Sequence, residues 1–174
     1  MTTDDMRPAA EDFVVERDFD AAPELVWKVN TELEHLQQWW GPAGFSWIGG
    51  SLDLRPGGMF HYGMRNPGGH EMWGRFVYRT IEPITRLEYV VSFSDAEGGI
   101  TRAPMSGSWP LEVLSDNRFT PLGSGTRLTM RGRPLNASPE EEAAYAAFHD
   151  NMRKGFAGTL DALDNYLARL KREQ

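Results

Sequence analysis

The side chains of this sequence best suited to chemistry are aromatic or sulfur-bearing rather than charged. Trp39, Phe60, Tyr62, Met64, Phe76, Tyr78, Tyr89, Trp109, Met130, His149, Met152 and Phe156 are candidates for lining a largely apolar pocket. Their apolar groups would supply desolvation, and Tyr62, Tyr78 and His149 would orient the polar atoms of a ligand. Trp40 and Phe45 belong to the same aromatic set. The competing reading is plain core, because aromatic residues and Met fill interiors routinely. His149 paired with Tyr62 is the one acid–base candidate, and it needs the imidazole within hydrogen-bond reach of a bound molecule. A core histidine satisfied by its neighbours is the alternative.

Other chemistries find little support. The chain has no Cys, which removes thiol nucleophiles, Cys-ligated zinc, iron–sulfur centres and disulfides. His35, His61, His70 and His149 include no i, i+4 pair and no HExxH, so no metal is expected and no other cofactor is implied. There is no GxSxG. The glycine pairs Gly57-Gly58 and Gly68-Gly69 fall in hairpin turns rather than between a strand and a helix, so they make no phosphate cradle. A net charge of −7 over 174 residues offers no basic footprint for nucleic acid. No apolar run approaches the roughly 20 residues of a membrane span. The N-terminus lacks the apolar segment of a signal peptide, so a cytoplasmic protein is the default. Arg outnumbers Lys by 15 to 3, a hint of a GC-rich bacterial genome.

Residues 1–11 read as a polar tail and residues 12–174 as one domain. A strand is expected where Phe13, Val15 and Phe19 alternate with charged residues, then a short helix opened by Pro23. Thr31-Glu32-Leu33-Glu34 has the pattern of a capping box for a second short helix ending before Trp40. From Phe45 to Gly132 the pattern becomes a meander of about six antiparallel strands, with a turn at Asn117–Gly125 before the last. Ser138-Pro139-Glu140-Glu141 then opens a helix of about 30 residues, about 45 Å long. Tyr145, Phe148, Met152, Phe156, Leu160, Leu163, Leu167 and Leu170 make its continuous apolar stripe. Only the sheet is large enough to cover that stripe, so an α+β fold with a curved sheet around the helix is expected. Gly155 and Gly158 cost this helix about 1 kcal/mol each against Ala, which close approach to the sheet or a ligand would offset.

The central hairpin admits two registers. A three-residue loop at Pro67-Gly68-Gly69 sets Phe60 opposite Phe76, Tyr62 opposite Gly74 and Met64 opposite Met72, all on one face. It leaves His61, Trp73 and Arg75 on the other face. A two-residue loop would mix Arg75 and Glu71 with Phe60 and Tyr62. The apolar set favours the first, at the cost of an exposed Trp73.

Several motifs then carry a family resemblance. They are Leu36-Gln-Gln-Trp39-Trp40-Gly41-Pro42-Ala-Gly44-Phe45, Arg55-Pro-Gly57-Gly58, Met64-Arg65-Asn-Pro67-Gly68-Gly69, Pro104-Met105-Ser106 with Trp109-Pro110-Leu111-Glu112, Gly125-Thr126-Arg127-Leu128, and His149-Asp150-Asn-Met152-Arg-Lys-Gly155-Phe156 with Gly158-Thr159-Leu160-Asp161. Together the chain resembles the SRPBCC (START/birch-pollen-allergen-like) superfamily, in the branch named for the activator of heat-shock protein 90 ATPase homologue. Phe156 stands where that branch usually has tryptophan. The resemblance implies a helix-grip fold enclosing a cavity. Such members include lipid carriers, hormone-binding proteins and polyketide cyclases, so the fold leaves the activity open. Binding of a small apolar or aromatic ligand ranks first. A cyclase- or hydrolase-type enzyme using the same cavity comes second. A co-chaperone acting on a heat-shock ATPase comes last, since about a dozen residues ahead of the first strand leave no room for the activators' preceding domain. A homodimer is compatible with any of these.

Overall fold

The computed structural model describes residues 12–173; the expected tail at 1–11 lies outside them. Strand β1 (Phe13–Phe19) leads to α1 (Pro23–Thr31) and α2 (Leu33–Trp39). Six strands follow: β2 (Ser46–Leu52), β3 (Met59–Arg65), β4 (Glu71–Glu82), β5 (Arg86–Ser94), β6 (Glu112–Leu122) and β7 (Gly125–Leu135). Helices α3 (Pro139–Ala147) and α4 (His149–Arg172) close the chain. The strands form one seven-stranded sheet in the order β1-β7-β6-β5-β4-β3-β2, antiparallel throughout. The register shifts in β2 between Trp47 and Gly49 and in β4 between Tyr78 and Thr80. Such bulges bend a strand and help a sheet curve. This is the helix-grip architecture expected from the sequence.

The central hairpin adopts the three-residue-loop register: Phe60 faces Phe76, Tyr62 faces Gly74 and Met64 faces Met72. On the opposite face Trp73 is half-buried. Its ring lies over Gly63, where a Cβ would come within 2.6 Å of it, and stacks on His61 at 5.0 Å between centroids. A bare glycine and a flat imidazole thus shelter the tryptophan that the register exposes.

Three local expectations are corrected. Thr31 caps nothing: it ends α1, and its hydroxyl donates back to the Trp27 carbonyl at 2.8 Å. Such i−4 back-bonding satisfies a buried threonine inside its own helix, and Glu32 becomes the uncapped start of α2. The turn at Asn117–Gly125 shrinks to Gly123-Ser124, with Leu122 paired to Gly125. Pro121 is tolerated because β5 pairs with β6 only as far as Arg118, so no neighbour needs a proline N–H there. The long helix is interrupted at Phe148 (φ −97°, ψ 1°), whose N–H is taken by Tyr145 and Ala146 carbonyls before α4 begins. The capping box at α3 forms as expected, with Ser138 Oγ accepting from the Glu141 N–H at 3.1 Å and Glu141 Oε1 from the Ser138 N–H at 2.9 Å.

The two halves of α4 differ. From Thr159 onward Leu160, Leu163, Tyr166 and Leu167 are buried against α1, α2 and the sheet, in the main core with Val26, Trp39, Phe60 and Tyr78. Polar ties hold this half: Arg17 to Asp161 at 2.9 Å, Lys171 Nζ to the Asp20 carbonyl at 2.8 Å, and His35 Nδ1 to Tyr166 Oη at 2.6 Å. Residues 149–158 bury no side chain fully. A separate small cluster of Phe13, Val113 and Tyr145 lies beneath that end, with Trp109, Met152 and Phe156 packed against it. The core is therefore in two pieces.

Candidate functional site

A cavity lies under the first half of α4, in two compartments. One, of about 240 Å³, runs from Phe13 and Tyr145 to Trp109 and Met130. The other, of about 350 Å³, runs from Trp40, Gly41 and Pro42 to Tyr62, Met64 and Met72. Phe93, Met105, Phe148, Met152 and Phe156 border both. Together the compartments fall within the usual range for small-molecule pockets, about 300–1,000 Å³. Their origin is the split in the core: the first half of α4 meets β1 through His149, Arg153 and Phe156 beside Phe13, but buries no side chain fully and leaves open space toward β3, β5 and β7. Of the two roles expected for Gly155 and Gly158, room for a ligand remains open to Gly155, which lines the larger compartment, and approach to the sheet is not met. A Cβ on either would meet no atom within 4 Å, so close approach of helix to sheet is not what they provide.

The twelve sequence candidates divide by location. Tyr62, Met64, Trp109, Met130, Met152 and Phe156 line one or both compartments. Trp39, Phe76 and Tyr89 close a recess of about 10 Å³ beside them, no larger than a single water needs. Phe60 and Tyr78 are sealed in the main core. His149 is outside both linings. Its ring is held between Phe13 and Tyr145, at 5.3 and 5.2 Å between centroids, with Nε2 enclosed and unpartnered.

Other lining residues were not singled out as candidates. Tyr145 and Phe148 belong to the same helical stripe as Met152 and Phe156, and Phe93 continues the alternation of β5, so periodicity carried a signal for them. Met105 had none. It sits in the loop after β5, is 55% exposed and borders both compartments, which places it at the mouth. Arg102 in the same loop donates to Glu141 Oε2 of α3 at 2.7 Å.

Glycines seat three of the wall side chains. Tyr62 reaches across Gly74, where a Cβ would lie 2.5 Å from its Oη, and Tyr145 Oη stands equally close to a Cβ on Gly132. Gly41, at φ +116°, abuts the Met64 thioether and could carry no side chain. Burial pushes the Tyr62 and Tyr145 phenols well above the ordinary tyrosine value; a negative charge on Tyr89 would add to the first and Asp12 to the second. The Trp40 indole N–H, enclosed and without a well-formed hydrogen bond, lies near enough to Tyr62 Oη to offset part of that rise. Both phenols are therefore neutral near pH 7. Among the residues lining the two compartments the only charged one is Arg131, which is exposed and also borders a charged depression with Arg86, Glu88 and Asp116. Apart from this cavity, Glu32, Glu34 and His35 bring ligand-type atoms within 4.8 Å of one another, but His35 is already engaged with Tyr166. Among the described residues no helix is long and apolar enough to cross a membrane.

Comparison with known proteins places this architecture. A protein from Nitrosomonas europaea is similar over 95% of this chain and 99% of its own, at 24% identity and a TM-score of 0.74. One from Arthrobacter aurescens is similar over 92% of this chain and 87% of its own, at 23% identity and 0.75. The AHSA1 protein from Silicibacter pomeroyi covers 94% of this chain and 100% of its own, at 21% identity and 0.68. At these identities the likeness speaks to the fold. No curated protein matches. The family model described as "Activator of Hsp90 ATPase homolog 1-like protein" matches residues 20–168, from the end of β1 almost to the end of α4, and the chain belongs to that family.

Proposed function

We propose that the protein binds a small apolar or aromatic molecule in the gap between the sheet and the first half of α4. The observation that carries this reading is the coincidence of a roomy apolar cavity with the first ten residues of α4, which bury no side chain fully. An apolar ligand gains about 25 cal/mol for each Å² it removes from water there. Met64, Met72, Met105, Met130 and Met152 give the walls unbranched, adaptable side chains. A cyclase- or hydrolase-type reaction through His149 is less well supported, because its imidazole lies between two aromatic rings and outside the lining.

The test is native against denaturing mass spectrometry of freshly purified protein, with Met152→Trp as the filled-cavity control. The expected result is a reproducible mass excess that denaturation removes and that Met152→Trp lacks while keeping its circular dichroism. An excess that persists in folded Met152→Trp would place the ligand elsewhere and refute the reading. The same spectra report whether the protein is a homodimer.

A further inference from the structure

The cavity walls specify the chemistry of the occupant more closely than "apolar". This step rests on the reading of the gap as a ligand cavity. The larger compartment has no charged residue in its lining, and the smaller has only Arg131, exposed toward the charged depression. A carboxylate or phosphate brought inside would lose its hydration and meet no opposing charge, which is strongly unfavourable. The part of the occupant enclosed by these walls is therefore uncharged.

Unpartnered polar groups in the walls include the Trp40 indole N–H and Tyr62 Oη in the larger compartment and Tyr145 Oη in the smaller, of which Trp40 Nε1 and Tyr145 Oη are enclosed. Tyr62 is only 7% exposed, lines the larger compartment, and extends its hydroxyl over Gly74, whose missing side chain leaves room for it. The neighbour closest to serving it is the Trp40 indole, which can only donate. Among the described residues none accepts the Tyr62 proton. Thr159, the other buried hydroxyl in this lining, already donates to the Gly41 and Gly155 carbonyls at 3.1 and 3.2 Å. Tyr62 Oη is not fully enclosed and donates to no described residue, so its proton is open to a partner inside the compartment. Around it stand Trp40, Met64 and Met72, and the second compartment continues the apolar space past Met152 and Phe156.

We infer that the cavity takes a neutral, elongated, largely apolar molecule bearing one hydrogen-bond acceptor, a carbonyl or ether oxygen, to which Tyr62 Oη donates. The apolar remainder extends toward Trp109 and Met130. A carboxylate or phosphate held inside, beside Tyr62, is disfavoured by the same walls.

Three probes of similar size separate the alternatives: pentylbenzene, valerophenone and phenylpentanoate, a hydrocarbon, a ketone and an anion. Each is titrated at neutral pH into the intact protein and into Tyr62→Phe, with dissociation constants read from tryptophan emission, since Trp40 and Trp109 stand in the walls. Wild type is expected to bind the ketone about fivefold more tightly than the hydrocarbon, the worth of one hydrogen bond. The anion is expected to bind most weakly. In Tyr62→Phe the ketone advantage should disappear while the hydrocarbon constant stays within about twofold. Equal binding of ketone and hydrocarbon, survival of the gap in Tyr62→Phe, or tightest binding of the anion would overturn this inference and leave the cavity reading standing. Failure of all three probes to bind would overturn the cavity reading and this inference with it.

Discussion

Replacing Gly155 and Gly158 by alanine tests whether α4 stands clear of the sheet at these two positions. Both glycines are inside α4, and a Cβ built on either meets nothing within 4 Å. No steric penalty therefore opposes the intrinsic gain. That gain is about 1 kcal/mol per Gly→Ala in a helix interior, part of it from narrowing the unfolded ensemble. The double variant should be stabilised by about 2 kcal/mol, which at this chain length raises Tm by about 4–8 °C. Urea unfolding should show a higher midpoint with an unchanged slope, since the surface exposed on unfolding is nearly the same. Gly132→Ala is the opposing control, because its methyl would lie 2.5 Å from Tyr145 Oη, and it should destabilise. If Gly155→Ala and Gly158→Ala each lower the midpoint, the helix rests on something at these positions and the account of the cavity's origin fails.

All five tyrosines, Tyr62, Tyr78, Tyr89, Tyr145 and Tyr166, are held above the ordinary value of 10.0, chiefly by burial, with Tyr89 pushed up to about 12. Absorbance titration of the native protein should detect far less tyrosinate at pH 10 than in the unfolded chain, which is half ionised there, with Tyr166 the first to ionise. The unfolded state then loses protons first, so the contribution of these groups to stability is full below pH 10 and falls as pH rises through the folded values. Early tyrosinate absorbance in folded protein would contradict the burial assigned to these rings. The split core predicts unequal truncation costs. Leu163→Ala, at a side chain with 0% exposure, should cost about 2–5 kcal/mol in urea unfolding. Met152→Ala, at a wall already facing open space, should cost about 1 kcal/mol or less. Equal costs would mean that the gap is filled.

The order of elements was legible because it follows from short-range rules. Alternation marked the strands, Pro23 and the Ser138 box marked helix starts, and the segregation of Phe60, Tyr62, Met64 and Phe76 from Arg75 set the central register, since a one-residue slip would exchange the faces. Where short-range rules gave a wrong answer, a longer-range contact had won. Thr31 bonds back into α1 because it is buried there, and the β6–β7 hairpin runs through Pro121 because β5 has already ended.

The candidate site was less legible. Composition and spacing identified apolar residues that belong inside, and six of the twelve candidates border the cavity, but periodicity cannot separate a wall from a filled core. Phe60 and Tyr62 sit two residues apart on one face of β3; one is sealed and the other lines open space. The difference is made by what lies opposite. The C-terminal half of α4 is drawn into the main core by its leucines and tied by Arg17, Lys171 and His35, whereas the other end, after the break at Phe148, packs on the small Phe13–Tyr145 cluster and leaves open space beside it. Amino-acid types and their periods determined the elements and their inward faces; whether those faces meet or leave a cavity depends on the balance of packing between distant segments, which only the tertiary structure decides.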